Sequence, residues 1–127
     1  MAEAVLDASA ILALFQAEPG ASTVAEALPS VLLSSVNASE AVAKLIRYGT
    51  KPEAAVDAVR RLKCPIVPVN DRLGLRAGAL YALTAKFGLS LGDRICLALA
   101  ERERLPVLTA DRAWASLDIG VEIRLIR

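Results

Sequence analysis

Glu3-Ala4-Val5-Leu6-Asp7-Ala8-Ser9-Ala10-Ile11-Leu12-Ala13-Leu14-Phe15-Gln16 is the stretch on which the fold turns. Residues 3–6 form a short apolar run that reads as a buried strand. Asp7 ends it, and residues 8–16 read as a helix that Glu18-Pro19-Gly20 breaks. A strand that passes straight into a helix is the opening of a βα unit.

The same alternation continues outward. Residues 21–28 read as a short helix, Pro29-Ser30 as a turn and residues 31–35 (VLLSS) as a second strand. Asn37 opens a helix over 38–48, which Gly49 stops. Pro52 starts a helix over 53–62, at the position proline favours. Residues 65–69 (PIVPV) read as a third strand, and Pro68 places it at an edge. A long helix over 71–87 ends at Gly88, and another follows over 91–104. Residues 106–109 give a fourth strand, 111–117 a short helix and 121–126 a last strand. Short, wholly apolar strands alternating with helices imply an α/β domain with a parallel sheet covered on both faces. In such sheets ligands bind beyond the carboxyl ends of the strands, so chemistry is expected there.

The chain has 127 residues, the length of one domain spanning 1–127, and no repeat or linker divides it. Apolar residues make up 55%, enough for a sizeable core, and the high alanine share suits closely packed helices. One Trp, two Tyr and two Phe are too few for a base-stacking RNA module. With a net charge of +1, any nucleic-acid binding must come from a local basic surface. The absence of histidine excludes His-dependent triads, His-based nucleases and His-containing zinc sites. Cys64 and Cys96 lack metal-type spacing and sit among apolar residues, as core cysteines do in a reducing compartment. The first twenty residues lack a basic leader segment, and no apolar run is long enough for a membrane span. A cytoplasmic location without membrane contact is the expectation.

Four acids stand where this fold places chemistry. Asp7 follows the first strand and Asp111 the fourth; Glu40 and Asp93 lie near the starts of helices. Each alone also suits a helix cap. Asn37-Ala-Ser-Glu40 and Ser90-Leu-Gly-Asp93 both match a capping box, and Asp7 and Asp111 precede helices. Together they form one acidic rim, which capping does not require. Four neighbouring carboxylates repel, and a divalent cation relieves the repulsion. Magnesium or manganese suits an all-oxygen set and can activate water against a phosphodiester. Asp7 and Asp93 are the first candidates for direct ligands, with Asp111 and Glu40 completing the set or orienting water. Ser9, Asn37 and Thr109 are neighbours able to hold these acids, and turn formation would also explain them.

Val5-Leu-Asp7-Ala-Ser9-Ala, Asn37-Ala-Ser-Glu40, Leu91-Gly-Asp93-Arg-Ile-Cys-Leu-Ala-Leu-Ala100 and Leu108-Thr109-Ala-Asp111-Arg-Ala-Trp114 resemble, in order and spacing, the PIN-domain nucleases, and among them the VapC-type toxins. The resemblance covers essentially the whole chain. It implies a PIN-like α/β/α sandwich with a central parallel sheet of about five strands. It further implies an endoribonuclease using Mg2+ or Mn2+, with Asp7, Glu40, Asp93 and Asp111 as its acidic set. Such toxins usually cut structured RNA such as tRNA or ribosomal RNA. They commonly form homodimers and are silenced by a VapB-type antitoxin that approaches the acidic site.

Basic residues near that rim are candidates for phosphate contacts: Arg94 and Arg112, each following a site acid, and Lys44 and Arg47 on the helix after the second strand. Ordinary solvated faces would also contain them. Trp114 and most of Ile11, Leu12, Leu14 and Phe15 suit the core. Two alternatives bind no RNA. A magnesium-binding receiver module would need an acidic pair after the first strand and a Lys after a late one, and Thr109-Ala-Asp111 supplies no such Lys. A catalytically silent PIN-like scaffold would have no use for the four acids.

Overall fold

The computed structural model describes residues 1–127. Its sheet has five parallel strands: β1 (Ala4–Leu6), β2 (Val31–Ser34), β3 (Ile66–Val67), β4 (Val107–Thr109) and β5 (Ile123–Leu125). Their spatial order is β3-β2-β1-β4-β5. The first strand is therefore the middle of the sheet, with Val5 opposite Leu32 on one side and Val107 on the other. Asp7 follows at the centre of the carboxyl edge, which is the position a doubly covered parallel sheet reserves for ligands.

Alternation along the strands divides the core in two. Ala4, Leu6, Val31, Leu33 and Leu108 pack with α1 (Ala8–Phe15), α2 (Ala21–Ala27), α3 (Ser35–Arg47) and α4 (Pro52–Arg60). Val5 and Val107 pack on the other side with α5 (Asp71–Ala79), α7 (Leu91–Glu103) and the fully buried Trp114. The short helix α6 (Tyr81–Thr84) lies between α5 and α7 in the chain. The result is the expected α/β/α sandwich. Alanine brings the layers close: Ala10, Ala13, Ala41, Ala55, Ala77 and Ala100 are all completely buried. Gly20 closes the α1 side with φ +97°, and a Cβ there would overlap Ile126, so only glycine fits this turn.

Several boundaries differ from the sequence expectation. The helix after β2 begins at Ser35 and is capped by the Ser34 hydroxyl, which accepts the Asn37 N–H at 2.9 Å. Asn37 is thus inside the helix, and no capping box links it to Glu40. The strand ends on a serine whose own side chain starts the helix, so no separate cap residue is needed. The expected long helix over 71–87 is three pieces: α5, α6 and a 3-10 turn at Ala85–Phe87. Gly74 and Gly78 weaken the helix, and the Thr84 hydroxyl donates to the Leu80 carbonyl across the break. Residues Arg112–Ser116 form a 3-10 turn instead of an α-helix, and β3 and β5 are shorter than expected. The edge position read from Pro68 holds, since β3 ends the sheet. No helix is long and apolar enough to cross a membrane.

Leu33 is fully buried between the sheet and the α1–α4 layer. Leu33→Ala is expected to lower the unfolding free energy by about 3 kcal/mol, read from urea denaturation.

Candidate acidic site

Asp7 is the anchor of the carboxyl edge. It occupies the residue before α1, yet its side chain caps nothing. Its Oδ2 instead accepts the Ser9 hydroxyl at 2.6 Å and the Thr109 hydroxyl at 2.9 Å. Those two hydroxyls also accept backbone N–H groups from the far side: Ser9 from Ala110 and Thr109 from Asp111. The set ties the end of β1 to the end of β4. Asp7 is only 4% exposed. Burial pushes its carboxyl up from the ordinary 3.8 to about 6; the Ser9 and Thr109 bonds oppose that rise, and the Asp93 charge adds to it.

The other acids arrive from three further segments. Glu40 sits on the second turn of α3, where its Oε1 accepts the Asn37 amide at 2.9 Å. Asp93, in the first turn of α7, forms a true capping box with Ser90: the Ser90 N–H donates to Asp93 Oδ2 at 2.9 Å, and the Asp93 N–H to Ser90 Oγ at 3.1 Å. Asp111 caps the 3-10 turn after β4, with Oδ1 accepting the Ala113 N–H. Asp7, Glu40, Asp93 and Asp111 all line one cavity of about 290 Å³, with Ala8, Ser9, Lys44 and Ser90. Beneath it lies the Cys96 thiol, pushed well above its ordinary range by burial and then by the charges of Asp7, Asp93 and Glu40. The same thiol thus senses three of the four acids.

The acids share the cavity without converging on one point. No three of them are close enough to grip a cation as they stand. Each has one oxygen turned toward a protein donor: Ser9 and Thr109, Asn37, Ser90, or Ala113. None is neutralised by a basic side chain, because the ion pairs of Arg61, Arg76, Arg102, Arg124 and Arg127 are made elsewhere. Side-chain rotation within the cavity would therefore meet no salt bridge. The donor set is all oxygen, as magnesium and manganese prefer, and a buried carboxylate with a raised pKa gains most from a cation.

Ser9 and Thr109 donate to Asp7, and Asn37 donates to Glu40. The basic candidates divide. Lys44 lines the cavity, and Arg47 is exposed one helical turn farther along α3. Arg94 turns away from it: its guanidinium donates to the Ala77 carbonyl and lies over the Tyr81 ring at 5.3 Å. Successive helix residues point in directions about 100° apart, so adjacency to Asp93 in sequence does not bring Arg94 to the same face. Arg112 donates to the Arg127 carbonyl and is likewise absent from the cavity lining. Sequence reasoning did not single out Ser34, whose hydroxyl donates to the Asn37 amide oxygen, or Gly92, which lies against the Glu40 carboxylate; the Ser34-x-x-Asn37 spacing was a readable cap signal for the first. A larger depression of about 390 Å³, between α2 and the starts of β1 and β2, has Glu3, Glu26 and an Arg124 already paired with Glu122. Glu3 and Glu26 are its only acids.

The model of the PIN domain matches residues 4–120. The chain belongs to the PIN-domain family. Among solved structures, this PIN domain resembles a chain of the DNA-bound VapBC complex from Salmonella typhimurium, at 16% identity and a TM-score of 0.76, with 100% of both chains covered. A toxin–antitoxin complex from Klebsiella pneumoniae gives 23% identity and a TM-score of 0.69, covering 95% of this chain and 100% of the other. VapC20 of Mycobacterium tuberculosis, described as a sarcin-ricin-loop-cleaving toxin, gives 17% identity and 0.73, covering 94% and 99%. At these identities the likeness establishes the shared fold. No curated protein matches in sequence.

Because the folded-state pKa of Asp7 lies above its unfolded value, the native PIN domain holds the extra proton between pH 4 and pH 6. Stability without metal therefore falls as pH rises through that window, by on the order of 2–3 kcal/mol at most. Asp7→Asn removes this dependence. Urea denaturation in EDTA is expected to show the variant more stable than wild type at pH 7, with the gap closing toward pH 4.

Proposed function

We propose that this PIN domain is a magnesium- or manganese-dependent endoribonuclease, acting as the toxin of a toxin–antitoxin pair. The observation that carries the reading is the cavity itself: four acids from four chain segments, with no basic side chain tied to any of them. A structural cap needs one acid per helix; a shared, unneutralised acidic cavity needs a cation.

Asp7, oriented by Ser9 and Thr109, and Asp93, at the start of α7, would hold the ion, with Asp111 and Glu40 completing the set. When bound, such an ion lowers the pKa of a coordinated water and offsets charge on the phosphodiester. The chain's own part is to hold these oxygens in register. Asp7 is fixed by two hydroxyls that are themselves fixed by backbone N–H groups. Asn37 retains Glu40 Oε1, and Oε2 makes no hydrogen bond to the protein, which suits Glu40 to orient a water. Lys44, on the cavity wall, and Arg47, one turn beyond, supply positive charge to an approaching phosphate backbone. Solved neighbours of this fold include a VapBC complex and VapC20, which is described as a sarcin-ricin-loop-cleaving toxin. The first favours a VapB-type antitoxin as partner and the second structured RNA as the substrate class; a cytoplasmic setting and a homodimer as the working form are proposed from the resemblance to VapC-type toxins alone.

The test is cleavage of a labelled structured RNA by the purified chain. Activity is expected to vanish in EDTA and return with Mg2+ or Mn2+. Asp7→Asn and Asp93→Asn are expected to lose more than the roughly 10- to 100-fold typical of residues that only support a ligand. Undiminished cleavage by Asp7→Asn would overturn the reading.

Contacts to phosphate make binding sensitive to salt. With Asp7→Asn as the inactive background, Lys44→Ala and Arg47→Ala should each weaken RNA binding and reduce the slope of log affinity against log salt by about 1. Arg112→Ala should leave both unchanged.

A further inference from the structure

Asn37 is completely buried, and every directional group of its side chain is in use. Its Oδ1 accepts the Ser34 hydroxyl at 2.7 Å. Its Nδ2 donates to Glu40 Oε1 at 2.9 Å and to the Gly92 carbonyl at 3.1 Å, fifty-five residues away in sequence. The orientation of the amide is forced. Ser34 Oγ already accepts the Asn37 N–H, so its hydroxyl proton is free to donate to Oδ1. A flipped amide would set its oxygen against two acceptors. Gly92 supplies the other half of the contact: a Cβ there would overlap the Glu40 carboxylate. The carboxylate is therefore pressed against the first turn of α7, the turn that also bears Asp93.

We propose that Asn37 is a positioning residue that latches the Glu40 carboxylate to the start of α7, so that Glu40 and Asp93 are presented to a divalent cation as one unit. The proposal rests on the cation-binding reading of the cavity and adds to it a specific coupling between two helices. Ser9 and Thr109 perform the matching task for Asp7 across β1 and β4. The Asn37 latch is the only side-chain hydrogen bond from α3 to α7. Removing it leaves Glu40 Oε1 and the Gly92 carbonyl without their shared donor and the two helices joined by apolar packing alone.

The test compares three variants with wild type. Asn37→Leu keeps the branched heavy-atom shape and removes the donor together with the acceptor for Ser34. Gly92→Ala displaces the Glu40 carboxylate without touching Asn37. Leu45→Ala, two turns along α3 and away from the cavity, is a matched loss of packing. Two readouts are needed: backbone hydrogen exchange in metal-free protein, and Mn2+ affinity by electron paramagnetic resonance titration. The latch predicts faster exchange in the first turn of α7 for Asn37→Leu than for Leu45→Ala. It also predicts a loss of Mn2+ affinity of about tenfold or more in both Asn37→Leu and Gly92→Ala, against less than twofold in Leu45→Ala. Should Asn37→Leu fail to fold, Gly92→Ala decides the affinity arm. Wild-type exchange and Mn2+ affinity in Asn37→Leu, wild-type affinity in Gly92→Ala, or equal losses in Leu45→Ala would each overturn the latch. A wild-type protein that binds no Mn2+ overturns the proposed function instead, and the exchange arm still decides whether the two helices are latched.

Discussion

A carboxylate shut away from water at the end of the central strand is the constraint around which this molecule is organised. Asp7 is nearly inaccessible, and burial alone would favour its neutral form. Two hydroxyls, Ser9 and Thr109, partly offset that cost, and both are held in place by backbone N–H groups from the β4 end. The carboxylate thus becomes a joint between the first strand and a strand a hundred residues later. A capping acid on a solvent-facing helix would need none of this. Negative charge at Asp7 is unfavourable without a counter-charge, which is the electrostatic condition the proposed cation would meet.

The rest of the fold serves that edge. Placing β1 in the middle of the sheet brings the ends of β1, β2 and β4 side by side, and α1, α3 and the turn at Asp111 leave from them. The helix α7 reaches the same edge from below, with Ile95 through Ala100 buried. Small residues make this possible. Buried alanines bring the helices close to the sheet on both sides, and Gly92 lets a carboxylate lie against a helix backbone.

Charge is distributed so that the cavity remains acidic. Five arginines make ion pairs at the surface, where such pairs contribute little to stability. Arg94, next to Asp93 in sequence, is folded back over Tyr81, and Arg112, next to Asp111, is bonded to the C-terminal residue's carbonyl. Only Lys44 reaches the cavity wall. A chain of nearly neutral net charge thereby presents a concentrated negative centre flanked by a basic helix face.

Sequence by itself determined the features that depend on local periodicity and composition. Short apolar runs ending at Asp7 and near Glu40 and Asp111 announced a parallel sheet with acids at its carboxyl edge. The lack of histidine narrowed any metal to an oxygen-bound one, and Pro68 marked the edge strand. Strand, helix and turn preferences act over a few residues, so a linear reading captures them. Tertiary structure alone decided the rest. It made Ser34, not Asn37, the cap of α3, and so freed the Asn37 amide for Glu40 and Gly92. It broke the helix over 71–87 at Leu80 and after Thr84, and it turned Arg94 and Arg112 away from their acidic neighbours. Which hydrogen-bond partner a buried amide takes, and which way an arginine folds, depends on groups fifty or a hundred residues distant. Only the packed chain sets those distances.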